Sequence, residues 1–152
     1  MRLETARLCI RDFCMGDLEA LCGLLADPEV MRYLEPVYSK EQTRAFLKAA
    51  GLCKPPLIYA VEDHAGNFVG YVIYHAYEKE SFELGWVLGR EHWRKGYAQE
   101  LTAALIRHAQ GRTDALVIEC APEQTASIRL ALKNGFCFEA YRDGCNVYRI
   151  AL

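Results

Sequence analysis

WRKGYA, residues 93–98, stands between an apolar run at residues 82–88 and an amphipathic run at residues 97–109. The first run predicts a strand and the second predicts a helix. The first amides of a helix lack intrahelical partners and the macrodipole adds positive potential there, so a basic turn containing Gly96 suits an anion. Arg94 and Lys95 add two formal charges. A bound diphosphate is the first hypothesis, and a solvated surface turn is the alternative.

Length and composition favour one globular domain over residues 1–152. Hydrophobic residues make up 52% of the chain, charged residues 25%, and the formal net charge is −2. These values are ordinary for a globular protein and show no basic excess of the kind that nucleic-acid binding requires. No apolar run approaches the ~20 residues that span a bilayer. We therefore expect a cytoplasmic protein without nucleic-acid or membrane partners.

The seven cysteines and four histidines do not form a recognisable pattern. The number of cysteines is odd, and no two have the Cys-x-x-Cys spacing of a zinc or redox site. The histidines show no ligand spacing either. We expect several of the cysteines to be small buried apolar residues rather than parts of a disulfide framework, and no metal site.

The order of the predicted elements indicates a mixed sheet of six to seven strands, mostly antiparallel, flanked by about four helices. Alternating or apolar runs predict strands at residues 7–11, 57–62, 68–75, 82–88, 115–120, 136–142 and 147–150. Helical spacing and capping signals predict helices at residues 17–26, 39–51, 97–109 and 125–134. The strands at 82–88 and 115–120 are joined by a helix, so they are expected to be parallel neighbours with a right-handed crossover. The fold class is α/β.

This layout resembles the GNAT superfamily of N-acetyltransferases. WRKGYA is similar to the acetyl-CoA signature W-G-K-G-Y-A of its RimJ/RimL-type members. Further matches are ETARL at 4–8, DPEVM at 27–31, ELGW at 83–86, Ser127, and NGF at 134–136. The resemblance covers essentially the whole chain. It implies that the fourth and fifth predicted strands, 82–88 and 115–120, splay apart, and that acetyl-CoA is the cosubstrate, without a metal.

The resemblance also implies which residues hold coenzyme A. Backbone amides of the turn bind the pyrophosphate in the family, and the pantetheine runs between the splayed strands like an added strand. The residues implied are Trp86, Val87, Leu88, Arg94, Lys95, Gly96, Tyr97, Ala98, Gln99, Gln124 and Ser127. Gln124 stands where the family's N-x-x-S motif has Asn. One amide near residues 86–88 is expected to stabilise the negative charge that develops on the thioester oxygen.

Two catalytic roles need candidates. The attacking amine must be neutral. Reference pKa values of ~7.7–8.0 for an α-amine and ~10.4 for a lysine amine determine how strongly the reaction depends on a general base. Glu83 is the candidate base, directly or through water; a structural carboxylate is the alternative. Many family members protonate the leaving thiolate with a Tyr at the position of Ala131. Ser127 is the nearest replacement, with a helix-capping role as its alternative; Tyr141 and Tyr148 are further candidates.

The acceptor and the oligomeric state stay open. Residues 33–38, YLEPVY, form an aromatic and weakly acidic segment that either lines an amine pocket or covers the sheet edge. Peptide N-termini, free amino acids, polyamines and amine antibiotics all fit, and the resemblance favours an α-amine of a protein or small molecule. The alternative function is an acyl-CoA-binding sensor or interaction module, which Ala131 and Gln124 keep open. A monomer and a homodimer are both compatible with the sequence.

Overall fold

The computed structural model describes all 152 residues. Its strands are β1 Leu3–Glu4, β2 Leu8–Arg11, β3 Ile58–Asp63, β4 Phe68–Ala76, β5 Ser81–Leu88, β6 Ala115–Cys120, β7 Cys137–Arg142 and β8 Cys145–Ala151. Its helices are α1 Leu18–Leu25, α2 Pro28–Met31, α3 Lys40–Phe46, α4 Tyr97–Ala109 and α5 Thr125–Lys133. None of these helices combines the length and apolar character that a membrane crossing needs.

The strands form one sheet in the order β1-β2-β3-β4-β5-β6-β8-β7. Neighbours are antiparallel except β5 and β6, which are parallel and joined through α4. The predicted mixed, mostly antiparallel α/β fold is confirmed. The predicted count of six to seven strands is one or two too low, because the two-residue β1 also pairs with β2 through Leu3 and Ile10.

A short helix, α2, was not predicted, because a proline after a helical run is also a signal for the end of that run. In the structure Asp27 caps α2, accepting a hydrogen bond from the amide of Glu29 at 3.0 Å. Pro28 occupies the first helical position, where its missing N–H costs nothing. Asp-Pro is thus a start signal here, and it gives the structure five α-helices where about four were expected.

The capping box predicted at Ser39 is present. The Gln42 amide donates to Ser39 Oγ at 3.1 Å, and the Ser39 amide donates to Gln42 Oε1 at 2.8 Å. α3 continues through a π-helical turn, Leu47–Gly51, so the helical segment ends at Gly51 as the sequence predicts.

Hydrophobic cores lie on both faces of the sheet. One contains 18 buried residues beneath α4 and α5, and the other contains 12 beneath α1, α2 and α3. Successive side chains of a strand point to opposite faces, so Tyr59 and Val61 belong to the first core and Ile58 and Ala60 to the second. The sheet is therefore the middle layer.

The predicted splay between two central strands is confirmed. β5 pairs with β6 only at Ser81–Ala115, Phe82–Leu116 and Glu83–Val117. Beyond Glu83, β5 stays paired with β4 as far as Leu88, and β6 stays paired with β8 as far as Cys120. The two halves of the sheet diverge there. We name this opening, between residues 84–88 of β5 and 118–120 of β6, the fork.

Candidate active site

The turn at residues 93–98 has the predicted geometry of a strand-to-helix anion site. Gly96 is the N-cap of α4 with φ +79°, a left-handed conformation that glycine adopts without steric cost. The first intrahelical hydrogen bond runs from the Glu100 amide to the Gly96 carbonyl at 3.1 Å. The amides of residues 96–99 therefore have no acceptor within the helix and are available to a ligand. The positive φ of Arg94, 60°, tightens the same turn.

A charged contact between distant parts of the chain supports this turn. The Arg7 guanidinium donates from Nε to Glu100 Oε2 at 2.8 Å and from Nη1 to the Lys95 carbonyl at 2.7 Å. Thr5 Oγ1 donates to Glu100 Oε1 at 2.6 Å. The guanidinium also lies over the Tyr97 ring, 4.6 Å from its centroid. We name these contacts the Arg7–Glu100 clamp; they fix both the turn and the first turn of α4.

The electrostatics of the clamp favour an ionised Glu100. Burial alone would raise the pKa of Glu100, but the hydrogen bonds from Thr5 and Arg7 outweigh it and lower the pKa. Sequence reasoning quoted ETARL as a family match and missed this role. Arg7 and Glu100 are 93 residues apart in the sequence, so no local pattern indicates that they form a pair.

Gln99, Gln124 and Ser127, expected to contact coenzyme A, lie around the start of α4 and of α5. Gln99 and Asn134 hydrogen-bond reciprocally through their side-chain amides, at 2.9 Å and 2.8 Å. Gln124 Oε1 accepts from the Ala121 amide at 2.7 Å. Both amide side chains are therefore engaged in hydrogen bonds within the protein. Ser127 is half-buried in the first turn of α5, and the contacts of all three with coenzyme A stay predictions.

Glu83 lies where the fork begins. It forms the last paired position between β5 and β6, opposite Val117. Glu83 also lies directly across from His75 of β4, and its Oε2 is 3.0 Å from His75 Nε2. The side chain lines the cavity on the sheet face of the second core.

The contacts of His75 fix where its protons lie. Nδ1 is 2.8 Å from the Ala76 carbonyl, which can only accept, so Nδ1 carries hydrogen. Nε2 lies 3.0 Å from Glu83 Oε2, so the protonated ring donates a hydrogen bond to that carboxylate. The hydrogen bond to Glu83 accordingly raises the pKa of His75. Sequence reasoning missed His75, although correct register in the predicted neighbouring strands would have placed it opposite Glu83.

A cavity of about 270 Å³ adjoins this pair. We name it the acceptor pocket. Its lining residues are Leu25, Met31, Leu34, Glu35, Tyr38, Phe46, Ala50, Leu57, Ile58, Tyr71, Ile73, His75, Glu83 and Val87. The segment 33–38, predicted either to line a pocket or to cover the sheet edge, contributes Leu34, Glu35 and Tyr38 to the lining. The Tyr38 hydroxyl donates to Glu35 Oε2 at 2.6 Å.

The position where many family members carry a tyrosine is fully buried here. Ala131 packs in the first core with no exposed surface. Of the other hydroxyls considered, Tyr148 is buried in the same core and Tyr141 is 62% exposed. No group of His, Cys, Asp and Glu side chains is arranged to hold a metal ion.

Comparisons with known proteins agree with this geometry. The family model described as an acetyltransferase (GNAT) domain matches residues 7–137. A Bacillus subtilis protein described as uncharacterized N-acetyltransferase YnaD is 30% identical, over 95% of this chain and 88% of its own. The crystal structure of a GNAT-family acetyltransferase from Bacillus anthracis superposes with a TM-score of 0.87 at 28% identity, covering 100% of this chain and 98% of its own.

A more distant structure shares the fold. RimL, a ribosomal L7/L12 alpha-N-protein acetyltransferase solved with coenzyme A, has a TM-score of 0.85 at 20% identity, covering 100% of this chain and 98% of its own. The helix-start turn, the fork and the family match over most of the sequence agree with one another. The chain therefore belongs to the GNAT acetyltransferase family and is an N-acetyltransferase.

Proposed function

We propose that this chain, as one domain over residues 1–152, moves the acetyl group of acetyl-CoA directly to a primary amine in a ternary complex. The observation that carries the proposal is the position of Glu83. The fork opens immediately after it, the anion turn follows the far end of β5, and the acceptor pocket adjoins its side chain. Donor and acceptor can thus approach one carboxylate from two sides.

The donor end fits coenzyme A through its backbone. The amides of residues 96–99 point out of the start of α4, and Arg94 and Lys95 are exposed beside them. Beyond Glu83, β5 has no partner on its β6 side, so Trp86, Val87 and Leu88 offer backbone groups to an extended pantetheine. RimL, which shares the fold, was solved with coenzyme A. This supports coenzyme A as the ligand of our chain.

The chemistry then needs three contributions from the protein. Glu83, directly or through a water, takes the proton from the ammonium so that the nitrogen attacks the thioester carbonyl, forming a C–N bond as the C–S bond breaks. A backbone amide near Val87 stabilises the charge on the carbonyl oxygen. Ser127 donates a hydrogen bond to the leaving sulfur, which takes up the second proton that the nitrogen loses and departs as the thiol of coenzyme A. Acetyl-CoA supplies only the activated acetyl group.

An acceptor screen tests the proposal. The full chain is incubated with acetyl-CoA and a panel of primary amines, and free thiol is measured against the amine-free rate. We expect at least one amine to accelerate thiol release tenfold or more, with the acetylated amine identified by mass. Coenzyme A binding in calorimetry without acceleration by any amine would contradict the proposal and favour an acyl-CoA-binding sensor or interaction module, the function that the buried Ala131 leaves open.

A further inference from the structure

We propose that the acceptor pocket selects a small primary monoamine with an uncharged apolar body and no carboxylate. The inference rests on the proposed function, since it concerns the amine that Glu83 would deprotonate. It is drawn from the size, the walls and the charges of the acceptor pocket, and these are independent of the donor end.

The volume sets the size of the body. The pocket measures about 270 Å³, which is at the lower end of the roughly 300–1,000 Å³ typical of small-molecule sites, so it suits a small acceptor. Three aromatic rings form one wall: Tyr38 and Phe46 have centroids 5.9 Å apart, and Phe46 and Tyr71 have centroids 6.0 Å apart. Eleven of the fourteen lining residues are hydrophobic. An aromatic or branched aliphatic group matches this wall.

The charges exclude an acceptor that carries its own carboxylate. Glu35 and Glu83 give the lining two carboxylates, and its only cationic group, His75, is already paired with Glu83 at 3.0 Å. The lining contains no Lys, Arg, Asn, Gln, Ser or Thr. A substrate carboxylate enclosed here would be desolvated beside two carboxylates, with the Tyr71 hydroxyl as the one side-chain donor of the lining not already paired. Free amino acids are therefore disfavoured relative to the corresponding decarboxylated amines.

The same lining argues against diamines and peptides. A second ammonium would reach only Glu35, which is exposed and already accepts the Tyr38 hydroxyl at 2.6 Å, and exposed ion pairs contribute little. A peptide would bring amide groups against walls whose side chains offer few hydrogen-bonding partners. An acceptor that places its one ammonium at Glu83 and is otherwise apolar therefore matches the acceptor pocket best.

The test compares five acceptors with the full chain at saturating acetyl-CoA: 2-phenylethylamine, phenylalanine, n-hexylamine, 1,5-diaminopentane and a tetrapeptide beginning with phenylalanine. We expect kcat/KM for 2-phenylethylamine to exceed that for phenylalanine and for the peptide at least tenfold, and n-hexylamine to exceed the diamine at least fivefold. Phenylalanine, the diamine or the peptide matching the apolar amines would overturn the inference while leaving the proposed function intact. No acceleration by any of the five, with acceleration by another primary amine of the wider panel, would likewise overturn the inference alone.

A variant at the pocket mouth ties the preference to this cavity. Leu34 lines the pocket and is 45% exposed, so Leu34→Lys places a cation at the mouth without disturbing either core. We expect kcat/KM for 2-phenylethylamine to fall at least tenfold while the Kd for coenzyme A stays the same. Leu132→Lys, at a residue of α5 that is 53% exposed and does not line the pocket, is the matched control and should change neither. Equal effects of the two variants, or no effect of Leu34→Lys, would overturn the inference.

Discussion

The donor end at residues 93–100 and the acceptor pocket are built from different parts of the chain in different ways. The donor end presents backbone amides, and its shape depends on one glycine and on the Arg7–Glu100 clamp. The pocket is formed by side chains from α1, α2, α3, β3, β4, β5 and the loops between them. Backbone groups are the same whatever the sequence, whereas side chains differ. One end of the site thus suits a ligand common to a family, and the other can change its acceptor residue by residue.

The largest effect is expected from a change at Glu83, which should lower turnover without altering the affinity for coenzyme A. Glu83→Gln keeps the shape but removes the proton acceptor, so kcat should fall about 100-fold or more, while the Kd for coenzyme A stays unchanged. Steady-state kinetics with the best acceptor measure kcat, and calorimetry with coenzyme A measures the Kd. Glu41→Gln, at an exposed carboxylate on α3, is the control. Full activity of Glu83→Gln would remove Glu83 from the mechanism.

The next effect is confined to the donor end. Gly96 and Gly111 have nearly the same backbone, with φ +79° and +74°, at opposite ends of α4. Valine in this conformation costs roughly 1–2 kcal/mol, so both Gly96→Val and Gly111→Val should lower the thermal midpoint. Only Gly96→Val should also weaken coenzyme A binding, by about 30-fold, because it displaces the amides of the turn. Similar Kd values for the two variants would place the diphosphate elsewhere.

A smaller effect is expected from the clamp. Glu100→Gln removes the charge that Arg7 contacts at 2.8 Å but keeps a similar shape, so the turn loosens and the Kd for coenzyme A should rise about fivefold. Arg7→Lys should act similarly. The double variant should cost less than the sum of the two single ones, because both remove the shared Arg7–Glu100 contact. Additive changes in Kd would show that the two residues act separately and that the clamp does not position the turn.

The smallest expected effect concerns stability on the pocket side. The hydrogen bond to Glu83 raises the pKa of His75 above its unfolded value. Its stabilisation is therefore fully present below about pH 6.5 and is lost as the pH rises through the raised value. The thermal midpoint of the wild type should exceed that of His75→Gln by about 2 °C near pH 6, and the difference should shrink toward pH 9. A difference independent of pH would contradict the ion pair.

Sequence patterns correctly predicted the elements that depend on residues close together in the chain. The capping box at Ser39 and the helix start after Gly96 depend on residues within a few positions of one another, so they were predicted correctly. The splay of β5 from β6 was implied by family resemblance rather than by any single residue. The helix α2 was missed although Asp27 and Pro28 carry a local start signal. That error was one of interpretation, because the same proline also ends a preceding helix.

By itself, the sequence determined the α/β order of elements and the basic turn, since strand alternation, helix spacing and glycine conformation act over short stretches, whereas the donor was implied by family resemblance. Only the tertiary structure decided that Arg7 supports the turn, that His75 pairs with Glu83, and which residues of 33–38 line the acceptor pocket. Those contacts join segments far apart in the chain. Their geometry depends on strand register and on the packing of both cores, which no local pattern specifies.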